Sequence, residues 1–140
     1  MDSTRFDDAE IAEFKGCAVL IYSGDRAFLD YYRSMFMSLS LTPVTATTSE
    51  AAMAILRLVI VAYVVVDAEG GIEPCRQVVR RARETQPHAP VLAVSQKHDP
   101  GFRHQVIRMG AADCLEHPAL PDNMLHALLP GHALAKTPLH

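Results

Sequence analysis

Most of the patterns that tie a sequence to a chemistry are missing from this 140-residue chain. No apolar run approaches the roughly 18 residues that a membrane span requires. Met1 to Asp8 is acidic and has no apolar core, which argues against a secretory signal. The three cysteines, Cys17, Cys75 and Cys114, are odd in number and far apart, so neither a disulfide framework nor a zinc pattern is present. Buried thiols in a reducing, cytoplasmic setting are expected instead. None of the 7 histidines falls at a metal-ligand spacing, and His132 and His140 lie in a tail. A formal charge of −3 gives no electrostatic reason to expect nucleic acid. Repeats and low-complexity stretches are absent as well. What is there is the composition of one globular domain, 49% hydrophobic and 21% charged.

The densest apolar run, Leu58 to Val66, ends on Asp67 and is closed by Ala68-Glu69-Gly70-Gly71. A β-branched run bounded by glycines predicts a strand buried on both faces, as in a parallel sheet. A carboxylate at the carboxyl end of such a strand lies where open α/β sheets place their ligands. Aspartates also cap turns, and that reading stands beside the first.

Strands and helices alternate around this run. A first strand, Cys17 to Tyr22, is stopped by Ser23-Gly24-Asp25, and Phe28, Tyr32, Met35, Phe36 and Leu39 then form a helical stripe. Pro43 breaks the chain before a brief strand, Val44 to Thr47. Ser49 is expected to cap a helix through Leu56, with Ala52, Ile55 and Leu56 inward. After Asp67 a helix opened by Pro74 runs to about Glu84 and turns Cys75, Val78, Val79 and Ala82 inward. Its Arg76, Arg80 and Arg83 share the opposite, solvated face.

Pro90 to Ser95 reads as a fourth strand. Asp99 then supplies an N-cap and Pro100 the first position of a helix that buries Phe102, Val106 and Met109. Gly110 ends it in a left-handed cap. Ala112 to Leu115 is a short fifth strand, and a last helix from Pro121 to Pro130 turns Leu125, Leu128 and Leu129 inward. Met35, Met37, Met53 and Met109 are read as core filler. Five strands alternating with five helices predict a doubly wound, five-stranded parallel sheet with right-handed crossovers. Residues 1–15 read as a leader, 16–130 as the domain, and 131–140 as a tail or the start of a linker.

With these elements in order, the chain resembles the receiver domain of bacterial two-component response regulators over roughly residues 16–130. Asp67 falls where that family places its phosphate-accepting aspartate. Pro90 to Ser95 is similar to its fourth strand, whose terminal Ser or Thr touches the phosphoryl group. Gly110-Ala111-Ala112-Asp113-Cys114-Leu115-Glu116-His117-Pro118 is similar to the family's G-A-x-x-Y-L-x-K-P signature. The resemblance implies a flavodoxin-like (βα)5 fold with sheet order 2-1-3-4-5, and a cis bond between His117 and Pro118.

The departures from the family carry as much information. Its two adjacent acidic residues after the first strand, which help hold magnesium, fall on Ser23 and Gly24. A one-residue slip brings Asp25 into the second place. The lysine before the proline is His117, the aromatic switch residue is Cys114, and Gln96 stands beside Ser95 where a small residue is usual.

Phosphoryl transfer to a carboxylate joins two anions and relies on neighbouring cations. Here Asp67 would hold magnesium almost alone, so a weak metal site or none is expected and no other cofactor. Glu69 is near in sequence but its reach is open. A protonated His117 would pair with Asp67, whereas a neutral one is expected to bond a backbone carbonyl or Asp67. Cys114 is too small to follow a movement of Ser95.

The leading expectation is an atypical receiver, non-enzymatic, working as a regulatory protein-interaction module with weak or no phosphorylation. Its expected partners are a histidine kinase, a covalently linked output domain, or a second copy bound through the 99–130 region. Nucleic acid and membrane are not expected. One rival is a phospho-receiver that takes a phosphoryl group on Asp67. Another is a flavin- or nucleotide-binding module, although Ser23-Gly24-Asp25-Arg26 is poor in the glycines and hydroxyls that cradle phosphate.

Overall fold

The computed structural model describes residues 17–96 and 100–128. Expectations about the leader, about Asp99, Leu129 and Pro130, and about the tail lie outside those residues. Strands β1 (Ala18–Tyr22), β2 (Thr42–Ala46), β3 (Tyr63–Asp67), β4 (Val91–Ser95) and β5 (Asp113–Glu116) form one sheet. They alternate with helices α1 (Arg26–Ser38), α2 (Ser49–Leu58), α3 (Ile72–Thr85), α4 (Pro100–Arg108) and α5 (Pro121–Leu128). Every pairing is parallel and the order is β2-β1-β3-β4-β5, as expected.

The two-residue period of the strands divides the core. Val19, Ile21, Val65, Leu92 and Val94 pack on one face against Phe28, Tyr32 and Phe36 of α1 and Met124 and Leu125 of α5. Leu20, Val64, Val66, Val91 and Ala93 pack on the other against Ala52, Leu56, Val78, Val79 and Val106 of α2, α3 and α4. Each fully buried Val, Leu or Ile is worth roughly 1.5–3 kcal/mol over exposure, so a sheet covered on both faces needs apolar residues at successive positions.

The run from Leu58 to Val66 is not a single strand. Leu58 ends α2, residues 59–62 connect, and only Tyr63 to Asp67 is strand. Leu58 and Ile60 are 80% and 83% exposed, so apolar continuity there does not mean burial. The connection is pinned by buried Gln86, whose Oε1 accepts from Val61 N at 2.8 Å. Its Nε2 donates to Leu56 O at 2.8 Å and Val59 O at 2.6 Å.

Other differences have local causes. Pro43 lies inside β2 opposite Val19, because β2 is an edge strand and needs no N–H there. Thr48, not Ser49, caps α2 by accepting from Ala51 N at 3.1 Å. α3 begins at Ile72 after Gly71, which has φ 120°, and so Pro74 sits in the first turn where a missing N–H costs nothing. Met37 is 61% exposed and fills no core space. At the end of α4, Gly110 has φ 120° as expected. Its N–H donates to Ile107 O and that of Ala111 to Val106 O, the paired bonds of a Schellman ending.

Candidate functional site

Asp67 closes β3 at the carboxyl edge of the sheet and is 6% exposed. What surrounds it follows from three chain reversals. The first is Ser23-Gly24-Asp25 after β1. Ser23 Oγ, itself buried, donates to Asp67 Oδ2 at 2.6 Å and accepts from Asp25 N at 2.9 Å. The Asp25 side chain points elsewhere, because its Oδ1 accepts from Ala27 N at 2.9 Å and caps α1. Gly24 is exposed and brings no side chain. This turn therefore offers Asp67 a hydroxyl and no second carboxylate.

The second reversal is the 3-10 turn Ala68–Gly70. Asp67 Oδ1 accepts from Glu69 N at 2.9 Å, so this residue does cap a turn while standing at the sheet edge. The turn sends Glu69 across to β4, where its Oε2 accepts from Ser95 Oγ at 2.5 Å and Gln96 N at 2.7 Å. Gln96 contributes its backbone, not its amide side chain, to this contact. An aspartate followed two residues later by an acid and then Gly-Gly is the signal that could have fixed the reach of Glu69.

The third reversal follows β5. His117 N donates to Ser95 O at 2.8 Å, and the His117–Pro118 peptide is cis, as expected. The imidazole does not join Asp67. Its Nδ1 lies 2.7 Å from Tyr32 Oη, and its ring centroid is 5.2 Å from that of Phe28. Tyr32 Oη also accepts from Ala119 N at 3.0 Å, so its own proton is available to Nδ1, an arrangement that a neutral imidazole satisfies. The expected bond from His117 to Asp67 or a backbone carbonyl is thus replaced, at Nδ1, by a tyrosine that sequence spacing did not single out. Burial pushes the Tyr32 phenol up to about 12, against the lowering effect of the Ala119 amide.

Cys114 packs in the core with Cys75, Val79 and Val106. Burial raises its thiol despite nearby Arg103, and burial pushes Cys75 up to about 12. Shifts in that direction leave less thiolate, the nucleophilic form, than an exposed cysteine would have. Cys17 is half-buried, and none of the three thiols is in a disulfide. Arg103 is tied to the strand by bonds to Cys114 O at 2.9 Å and Asp113 Oδ1 at 2.7 Å. Arg76 pairs with Glu73 on the exposed face of α3.

Magnesium prefers octahedral oxygen coordination and commonly takes one or two carboxylates. Among the described residues, Asp25 caps α1, Glu69 is bound to β4, and each Asp67 oxygen accepts a hydrogen bond. Among the described residues no group of three His, Cys, Asp or Glu is placed to hold a metal ion. The donors that the described residues bring to this corner are poor in the carboxylates that magnesium prefers.

Solved structures with this architecture include a response regulator from Thermotoga maritima. It has a TM-score of 0.71 and 22% identity, over 79% of this chain and 92% of that one. The fold is that of a CheY-like receiver domain. A Burkholderia pseudomallei response regulator, solved with a phosphorylated aspartic acid, a calcium ion and citrate, gives a TM-score of 0.74 at 16% identity. That match covers 87% of this chain and 72% of the other. The receiver domain of the putative response regulator NarL from Mycobacterium tuberculosis gives 0.70 at 20% identity, over 88% and 98%. At such identities the likeness is one of receiver fold. No family model and no curated protein matches the sequence. No helix among the described residues is long and apolar enough to cross a membrane.

Proposed function

We propose that this chain is an atypical receiver domain of a response regulator, acting through protein contacts with little or no phosphorylation of Asp67. The observation that carries the reading is that each Asp67 oxygen already accepts a hydrogen bond from inside the fold. Its Oδ2 receives the Ser23 hydroxyl and its Oδ1 receives the Glu69 amide. A carboxylate must turn a free lone pair on phosphorus, beside cations that offset the joining of two anions. The second condition is not served by a hydroxyl at Ser23, a bare Gly24 and a His117 bonded to Tyr32. Cys114, packed in the core, has no bulk with which to follow a shift of Ser95, and a ligand moves an equilibrium only through differential interaction with its two states.

On this reading the domain is non-enzymatic, needs no cofactor and works in the cytoplasm. It is engaged by a histidine kinase, by a covalently linked output domain, or by a second copy through the 99–130 region, and by neither nucleic acid nor membrane. An open groove of about 650 Å³ along β5 and α5 supports the last surface. Its lining mixes apolar residues such as Leu115, Pro118 and Leu120 with polar ones such as Glu116, Asn123 and His126, and Leu120 is 59% exposed.

Incubation with phosphoramidate and magnesium, followed by intact mass, tests the proposal. The mass should stay that of the unmodified chain. An adduct mapped to Asp67 would give way to the second reading, a phospho-receiver served by a histidine kinase. That reading is favoured by the parallel register of Asp67 with Val94, which sets the acid beside the β4 end carrying Ser95. The phosphorylated aspartate of the Burkholderia protein favours it too. The flavin or nucleotide alternative has little support, because the Asp25 carboxylate occupies the α1 N-terminus where a phosphate would dock.

A further inference from the structure

The end of β4 presents two donors side by side, the fully buried Ser95 hydroxyl and the Gln96 amide. Both point at one oxygen, Glu69 Oε2, at 2.5 and 2.7 Å. Donors converging on one anionic oxygen make an oxyanion site, and charge-assisted bonds of this kind are the short, strong ones. Here the anion belongs to the chain itself.

We propose that Glu69 is the resident occupant of an oxyanion site at the end of β4. It latches the β3 and β4 ends together as though an external anion were already bound. The inference rests on the atypical-receiver reading and supplies its reason: the donors that would greet an incoming phosphate-like group are taken.

The latch is preorganised. Asp67 Oδ1 holds the Glu69 amide at 2.9 Å, and Gly71 at φ 120° closes the turn into α3. Gly71 stands on a backbone that L side chains rarely adopt, so glycine lets the chain turn sharply into α3 right after Glu69. A free anion competes against a tethered one, whose effective concentration is on the order of millimolar or more. Asp67 thus acts as the positioning residue for Glu69.

Amide exchange and 1H–15N spectra of the full chain test the latch in wild type, Glu69→Ala and Glu69→Gln, each titrated with inorganic phosphate. At about pH 6 much of the phosphate is singly charged, no more than the carboxylate it replaces. In wild type the Gln96 amide should be protected and unmoved by phosphate. Glu69→Ala should lose protection about tenfold and regain it saturably with phosphate, and Glu69→Gln should fall between.

Three results would overturn the proposal: unchanged Gln96 protection in Glu69→Ala, an equal phosphate response in wild type, or protection lost without any phosphate response. The last would make Glu69 a strut and not an occupant. None of these readouts involves covalent chemistry at Asp67. The latch can therefore fail while phosphoramidate leaves the mass unchanged, and an Asp67 adduct can form while the latch stands.

Discussion

Gln86 and Asp67, each 6% exposed, hold opposite ends of the β3 segment by different means. Gln86 gives every bond to main chain: Val61 N, Leu56 O and Val59 O. It is a neutral staple with no proton to lose. Asp67 carries an ionisable group and bonds one side chain, Ser23, and one turn amide, Glu69. The second arrangement is the kind a switch would have to break, while the first has no alternative partner to turn to. The difference teaches that two equally buried polar groups can both act as scaffold, one through main chain alone and the other through a side chain and a turn amide.

The two ends part most sharply in alkaline solution. Cys75 and Tyr32 both feel the Asp67 charge, and burial pushes each up to about 12, from 9.0 and 10.0. A group whose folded pKa exceeds its unfolded value stabilises fully below the unfolded pKa and loses that contribution as pH rises through the folded one. Stability should therefore hold to about pH 9 and fall steadily to about pH 12, with the early part of the fall reduced in Cys75→Ala and the remainder of it carried by Cys114, whose thiol is also raised. Urea midpoints across that range read this directly. A flat profile would remove the electrostatic contrast between the ends.

Gln86→Leu comes next. It strands a buried N–H and two carbonyls, each worth about 1–3 kcal/mol when unsatisfied, so a loss of about 3–5 kcal/mol is expected in urea denaturation. A loss below about 1 kcal/mol would mean that water replaces the staple. Ser23→Ala is expected to cost less, about 1.5–3 kcal/mol, by taking one charge-directed bond from Asp67. Magnesium should not restore that loss. If it did, the corner would hold metal after all.

The sheet order and both layers were legible in sequence because alternation and apolar periodicity are local properties. The helical stripes of α1 and α3 stand as read, and so does the turn at Gly110. Boundaries failed where one signal served two elements. Leu58 to Val66 is uniformly apolar, yet a helix end, a connection and a strand share it. Pro43 reads as a break unless the strand is known to be an edge.

Strand ends were legible in the sequence and side-chain partners were not. Asp67, Ser95 and His117 could be placed along the chain, but the bonds that define them reach Ser23, Glu69 and Tyr32. The pair His117–Tyr32 spans 85 residues, and no local spacing encodes a contact of that kind. Gln86 carried no signal at all, being a polar residue at a helix end whose three partners lie 25–30 residues earlier.

Central to this account is that Asp67 holds the fold together at its corner. The unfolding free energy of Asp67→Ala beside that of Asp67→Asn addresses this most directly. A scaffold carboxylate with two buried bonds predicts a loss of about 2–3 kcal/mol for alanine and a smaller one for asparagine, which can still accept the Glu69 amide. Unchanged or raised stability in Asp67→Ala is the behaviour of an acid kept for chemistry at the fold's expense, and would contradict the account.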